Sequence, residues 1–230
     1  MMRITTATAR PSTIGVNRAL IIRHLLSAEH GGEGAGSTAF PQPLRSPRQN
    51  RHPRNYGEAL MAISLYSGFV PVAIQLLTGL KTVLKKAEDH ATAQKWDTAT
   101  VLNYRLYPDM FTLERQVRQV CNHALGAGRV AGVDLPSLPD QDNSWAEINS
   151  RIDKTVDFLK GLRANQIDGK DDSDVTVTIG GQPQTLKAAN YLYHFAMLQV
   201  QFHATTAYDI IRHVGVTVGK RDYLGPRPTN

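Results

Sequence analysis

Four polar residues sit where helical interiors are otherwise apolar: Gln116 and His123 on one stretch, Gln199 and His203 on another. In "QVQFHATTAYDIIRHVG", from Gln199 to Gly215, His203 falls on a stripe made by Leu192, Ala196, Val200, Ala207, Ile210 and Val214. Gln199 precedes it by one helical turn at the stripe's edge. Gln116 and His123 flank a second stripe in "LERQVRQVCNHALG", so the two pairs can face each other across a helix bundle. An imidazole in such a place is either a metal ligand or a satisfied core residue. Zinc sites draw three or four ligands from His, Cys, Asp and Glu, and an amide is a poor substitute. Two histidines with two glutamines therefore make a polar pocket, and a buried histidine beside an amide is by default a hydrogen-bonded pair. His194 and His213 fall on the polar side and near the C-terminal end of the same helix, positions that suit surface residues.

The elements that must hold these residues can be read from periodicity. Phe69, Ala73, Leu76, Leu77, Leu80, Val83, Leu84 and Ala87 recur at three- and four-residue spacing, which predicts a first helix from Tyr66 to about His90. Pro71 is expected in its first turn. "DTATVLNY" predicts a minor helix capped by Asp97. Met110, Leu113, Val117, Val120, Cys121 and Ala124 define helix two, with Gly126 as its expected stop. After a loop over residues 132–143, Ser144 and Glu147 form a capping-box pattern ahead of Ile148, Ile152, Val156, Leu159 and Leu162. Period then changes to two in "DVTVTIGGQPQTL", a β-hairpin signal turned by Gly180-Gly181. The last helix is expected from Leu186 to Val214, with "TVGKRDYLGPRPTN" as a tail. Phe195, Leu198 and Phe202 add a second apolar face, so this helix should be largely buried. The fold class is all-α: a four-helix bundle over residues 61–225 with a hairpin inserted before the last helix.

The formal charge of +6 hides a strong asymmetry. Residues 1–60 carry eight arginines, no lysine and three acids, whereas the remainder holds eighteen basic against seventeen acidic side chains. A nearly neutral body with interspersed signs lacks the electrostatic footprint of a nucleic-acid binder. No apolar run approaches the ~20 residues of a membrane span. A single cysteine, Cys121, excludes an internal disulfide and fits a reducing, cytoplasmic setting. The Arg- and hydroxyl-rich start, without an acid before Glu29, has the composition of a mitochondrial transit segment. The Gly-, Pro- and Ser-rich stretch after it should be disordered. Two readings of residues 1–60 stay open: a transit segment if translation starts at Met1, or an upstream extension ahead of a start at Met61. Residues 226–230 are a short tail.

"MAISLYSGFVPV", "RLYPDMFTLERQV" and "YLYHFAMLQVQFHATTAYDIIRHVGVTVGKRDYLG" together resemble an uncharacterised, domain-of-unknown-function branch of the DinB-like superfamily. The resemblance covers residues 61–225. It implies a four-helix bundle, homodimerisation, and chemistry on a small organic molecule. Many such proteins hold a divalent metal on three histidines, one from helix two and two from a His-x3-His pair on the last helix. Here the second of that pair corresponds to His203, the first to Gln199, and helix two offers Gln116; two of the three ligands are replaced. What the resemblance leaves is a small-molecule pocket between helices two and four. In an enzyme, His203 would be its general acid/base, oriented by Gln199, with Asp109 and Arg115 at the mouth. In a non-catalytic bundle, His203 would be structural.

Overall fold

Ser64 opens the fold by accepting the Ser67 backbone N–H while the Ser67 hydroxyl accepts the Ser64 N–H, a reciprocal cap. The computed structural model describes residues 63–227, so the extension over residues 1–60 and residues 228–230 lie outside the described residues. Helix α1 (Leu65–Ala93) follows the cap. Its next free N–H, on Tyr66, goes to Asp168 Oδ1 at 2.8 Å. The helix starts early enough that Pro71 lies in its second turn, not its first. Pro71 has no N–H to give the Ser67 carbonyl, and because Ser67 is exposed, water can take that place. The far end runs three residues past His90. It closes with Lys95 at φ 58° and with Trp96 N–H bonded to the Ala91 carbonyl, a left-handed C-terminal cap made without glycine.

Asp97 caps the short α2 (Thr98–Leu102) as expected. The loop after it is tied by Leu113 N–H to the Tyr104 carbonyl at 2.8 Å, and Thr112 caps α3 (Leu113–Ala124). Gly126 is not a stop: it begins α4 (Gly126–Ala131), and Gly132 at φ 75° ends the run. The reason for glycine at 126 is contact, since a Cβ there would lie 2.9 Å from the Tyr191 hydroxyl. Ser144 caps α5 (Trp145–Gly161) through the Glu147 N–H, but the Glu147 carboxylate reaches one residue further back, to Asn143 N–H at 2.6 Å.

Strands β1 (Asp174–Ile179) and β2 (Gln182–Lys187) pair antiparallel from Asp174↔Lys187 to Ile179↔Gln182. Gly180 and Gly181 at φ 59° and 80° make the tight turn. Leu186 belongs to β2, so the last helical run starts later than expected. It begins with α6 (Ala188–Asn190), passes through a π-helical segment (Tyr191–Ala196) and continues as α7 (Met197–His213). The supposed tail holds a further helix, α8 (Lys220–Leu224), docked on α1. Gln75 Nε2 donates to the Leu224 carbonyl at 2.8 Å, and Lys86 pairs with Asp222 at 2.8 Å.

Four long elements therefore make a bundle: α1, α3 continued by α4, α5, and α7. Helices α3 and α7 pack along each other, and α1 lies against α7 and α5. By length and composition α1 could cross a bilayer, contrary to the sequence expectation. Here its Phe69, Leu77, Leu80 and Leu84 are fully buried in the common core. Leu198 and Phe202 depart from expectation too: they are 56% and 58% exposed, so α7 buries only one face.

Two substitutions test how α1 is held. A Cβ on Gly79 would stand 2.1 Å from the Tyr223 carbonyl oxygen. Gly79→Ala should lower the denaturant-derived stability by about 1–3 kcal/mol through overpacking against α8. Lys95→Gly should raise it by about 0.5–1 kcal/mol by relieving the left-handed backbone. Equal and small effects at both positions would contradict these geometries.

Candidate functional site

Gln116 is almost completely buried on the face of α3 that meets α7, where an amide must find partners or destabilise the fold. It finds two. Its Nε2 donates to the Phe111 carbonyl at 3.3 Å, and its Oε1 lies 2.7 Å from His203 Nδ1. The first bond orients the amide, so Oε1 is the acceptor and His203 carries its proton on Nδ1. Nε2 is left with the lone pair. Among the described residues no side chain or carbonyl bonds to it.

Around this pair, three rings lie nearly parallel in a row. The Phe111 and His203 centroids are 6.1 Å apart with planes at 6°, and His203 and His123 are 5.8 Å apart with planes at 5°. Phe202 meets His203 edge-on at 5.3 Å, and Phe195 meets His123 edge-on at 5.4 Å. Phe195 comes from the π-helical segment, which Gly126 lets α4 approach closely. His203 is 7% exposed and His123 half-buried. Burial lowers the His203 pKa to about 4. Burial, then the neighbouring His203 and Arg129, lowers that of His123 to about 4 as well. Both imidazoles are neutral at pH 7.

The structure thus brings together Gln116, His123 and His203, as expected from spacing. Gln199 lies one turn before His203 on α7, half-buried, and its side chain makes no hydrogen bond among the described residues. Asp109 and Arg115 belong elsewhere. They are exposed and line a cleft of about 320 Å³ with Arg105, Met110, Phe111 and Glu114. Phe111 is the shared wall: it lines the cleft, lies parallel to His203, and carries the Arg115 guanidinium 3.7 Å above its ring centroid. Sequence periodicity passed over Phe111 because it precedes the Thr112 cap and belongs to no stripe. Cys121 is sealed in the core, its thiol pushed up to about 12 by burial, and is not a nucleophile.

Whether this donor set suits a divalent metal can be judged from its chemistry. Among the described residues, no group of three His, Cys, Asp or Glu side chains could hold an ion. His123 and His203 offer nitrogen, but both Gln116 groups are already engaged, and an amide is a weak third donor. The described residues do not fit a three-ligand zinc-type centre.

A four-helix bundle with a hairpin ahead of its last long helix is the DinB-like fold. The solved structure of a DinB family member protein from Shewanella denitrificans is 33% identical, covering 72% of this chain and 94% of that chain, with a TM-score of 0.65. The family described as Domain of unknown function (DUF1993) matches residues 65–224, and the chain belongs to it. No curated protein matches the chain.

The two low histidine pKa values make stability depend on pH with a definite sign. An unfolded histidine titrates near 6.5, well above the folded values of about 4, so acidification protonates the unfolded chain first. Stability should be full above pH ~6.5 and fall as pH drops toward about 4, by about 1–2 kcal/mol per histidine after solvent screening. Urea midpoints from pH 7.5 to 4.5 measure this, and His123→Phe, which keeps a ring, should flatten part of the slope. A profile unaltered by that change would remove His123 as a contributor.

Proposed function

We propose that this chain is a small-molecule-binding protein in which the Gln116–His203 pair is a structural support and the ligand occupies the adjoining cleft at Phe111. The observation that carries the reading is the commitment of the buried polar atoms. Gln116 spends its amide on Phe111 and His203, and His203 spends its Nδ1 on Gln116. What that commitment positions is Phe111, the ring that walls the cleft. The cleft lies outside the α3–α7 seam, toward the loop before α3, and this reading takes it in place of the interior pocket that the superfamily resemblance implies.

A second reading keeps His203 as a general acid/base acting through Nε2, which takes no hydrogen bond among the described residues. A neutral ring with a pKa of about 4 is a weak base at pH 7, because proton transfer is most effective near the operating pH. The structural reading is therefore favoured.

Gln116→Leu and His203→Leu should each destabilise by about 1–3 kcal/mol, since each strands a buried partner. The double variant should cost less than the sum by about 1 kcal/mol or more. On the unaltered protein, chelator and added zinc should leave Tm unchanged, and elemental analysis should find no stoichiometric divalent metal. Additive losses, or a Tm that rises with zinc and falls with chelator, would sink this assignment.

A further inference from the structure

The cleft beside Phe111 carries a charge pattern that specifies more than small-molecule binding. Arg118 is paired in charge: its Nε lies 3.4 Å from Glu114 Oε1, without a hydrogen bond to it, and its Nη1 donates to the Asp140 carbonyl. The Glu114 carboxylate in turn accepts the Asp142 N–H at 3.3 Å, so this pair is neutral and structural. Arg115 is different. Its guanidinium rests on the Phe111 ring, and among the described residues no carboxylate or carbonyl accepts its side-chain N–H groups. Arg105 donates Nη1 to the Pro108 carbonyl at 3.2 Å, which orients it, and pairs with no described carboxylate. Asp109 likewise has no ion pair among the described residues.

Two unneutralised guanidinium groups and one carboxylate leave the cleft with an excess of one positive charge. The planar Arg115 fork lies on Phe111, and such a fork matches the two oxygens of a carboxylate. Met110 and Phe111 supply an apolar wall, and about 320 Å³ is at the small end of ligand sites. The loop that presents Arg105, Asp109, Met110 and Phe111 is tied by Met110 N–H to the Tyr107 carbonyl at 2.9 Å and by the Leu113–Tyr104 bond, and Arg115 follows in the first turn of α3.

We propose that this cleft takes a small organic monoanion, a carboxylate with an apolar or aromatic body, between Arg105 and Arg115 and against Met110 and Phe111. The proposal rests on the reading of the cleft as the ligand site. A dianion is disfavoured because Asp109 faces the same space.

Titration of the full chain with benzoate, benzyl alcohol, benzylamine and phthalate, followed by heteronuclear NMR, tests it. Benzoate should bind about tenfold or more tightly than the alcohol, as expected of one charge-assisted contact, and more tightly than the amine or phthalate. Arg115→Gln and Arg105→Gln should each weaken benzoate about tenfold without changing Tm, and Arg115→Lys should recover only part of the loss. Equal binding of benzoate and benzyl alcohol, or benzoate binding indifferent to both glutamine variants, overturns the anion assignment while leaving a ligand cleft. Phthalate binding as tightly as benzoate overturns the preference for one charge. Absence of any shift at Phe111 and Met110 across the series overturns the cleft itself.

Discussion

The hydrogen-bonded chain from the Phe111 carbonyl through Gln116 to His203 sets the relation between α3 and α7. It is polar, and it lies in the seam where the two helices pack. A buried amide and imidazole are tolerable only when paired, so sliding or rotating either helix would strand both. Apolar side chains on the same seam, such as Val117, Val120, Val200 and Ala204, are fully buried but would accept more than one register. The polar pair selects among registers. It also fixes the Phe111 backbone just before the Thr112 cap, and so determines where the loop between α2 and α3 leaves the bundle.

A second buried network holds the other side of that loop's surroundings. Arg151 on α5 is 2% exposed and donates Nε to Asp142 Oδ2 at 2.5 Å and Nη2 to the Pro139 carbonyl. Asp142 is joined through its backbone N–H to Glu114 on α3. The segment between α4 and α5 has no regular structure, yet these bonds pin it across two helices. Breaking one such partnership leaves an uncompensated buried charge, which is why networks of this kind localise a loop more firmly than apolar contact does. The cleft is bounded by both systems, with Phe111 from the first and Glu114, Arg118 and Gln141 from the second.

The long helices and the hairpin were legible because their signals are strong and local: a 3.6-residue stripe, Asp97 and Ser144 as caps, and Gly180-Gly181 between alternating residues. The departures each have a tertiary cause. Helix α8 has five residues, too few for a stripe, and exists by docking on Gly79. Gly126 signalled a stop to propensity, but its role is to admit Tyr191. The π-helical segment leaves no mark in the 3.6-residue pattern. Leu198 and Phe202 have core chemistry yet point outward, since periodicity says which residues share a face and not which faces are covered. The inward placement of Gln116 and His203 was readable from that same periodicity. The placement of Asp109 was not, because it lies in a loop; Arg115, one residue before Gln116 on α3, is turned away from the seam by the helical period itself.

The DinB-like architecture needs the α3–α7 seam to close, and closing it requires only that whatever polar groups it contains be satisfied. Histidines can meet that requirement around an ion; here an amide meets it by offering a donor and an acceptor from one planar group, with no charge to compensate. A neutral His203 bonded to Gln116 makes the seam self-sufficient. Among the described residues, the charged groups without an ion-pair partner at the cleft lie one ring away, Arg105 and Asp109 on the loop that precedes α3 and Arg115 in the first turn of α3. Arg115 stands over the face of the ring that also lies parallel to His203, so the interior pair acts on the cleft through the position of Phe111. In the proposed reading the wall, Phe111, and one charge, Arg105, come from the loop, while the other charge, Arg115, comes from the first turn of α3, so substitutions in the loop alter the cleft without touching the core.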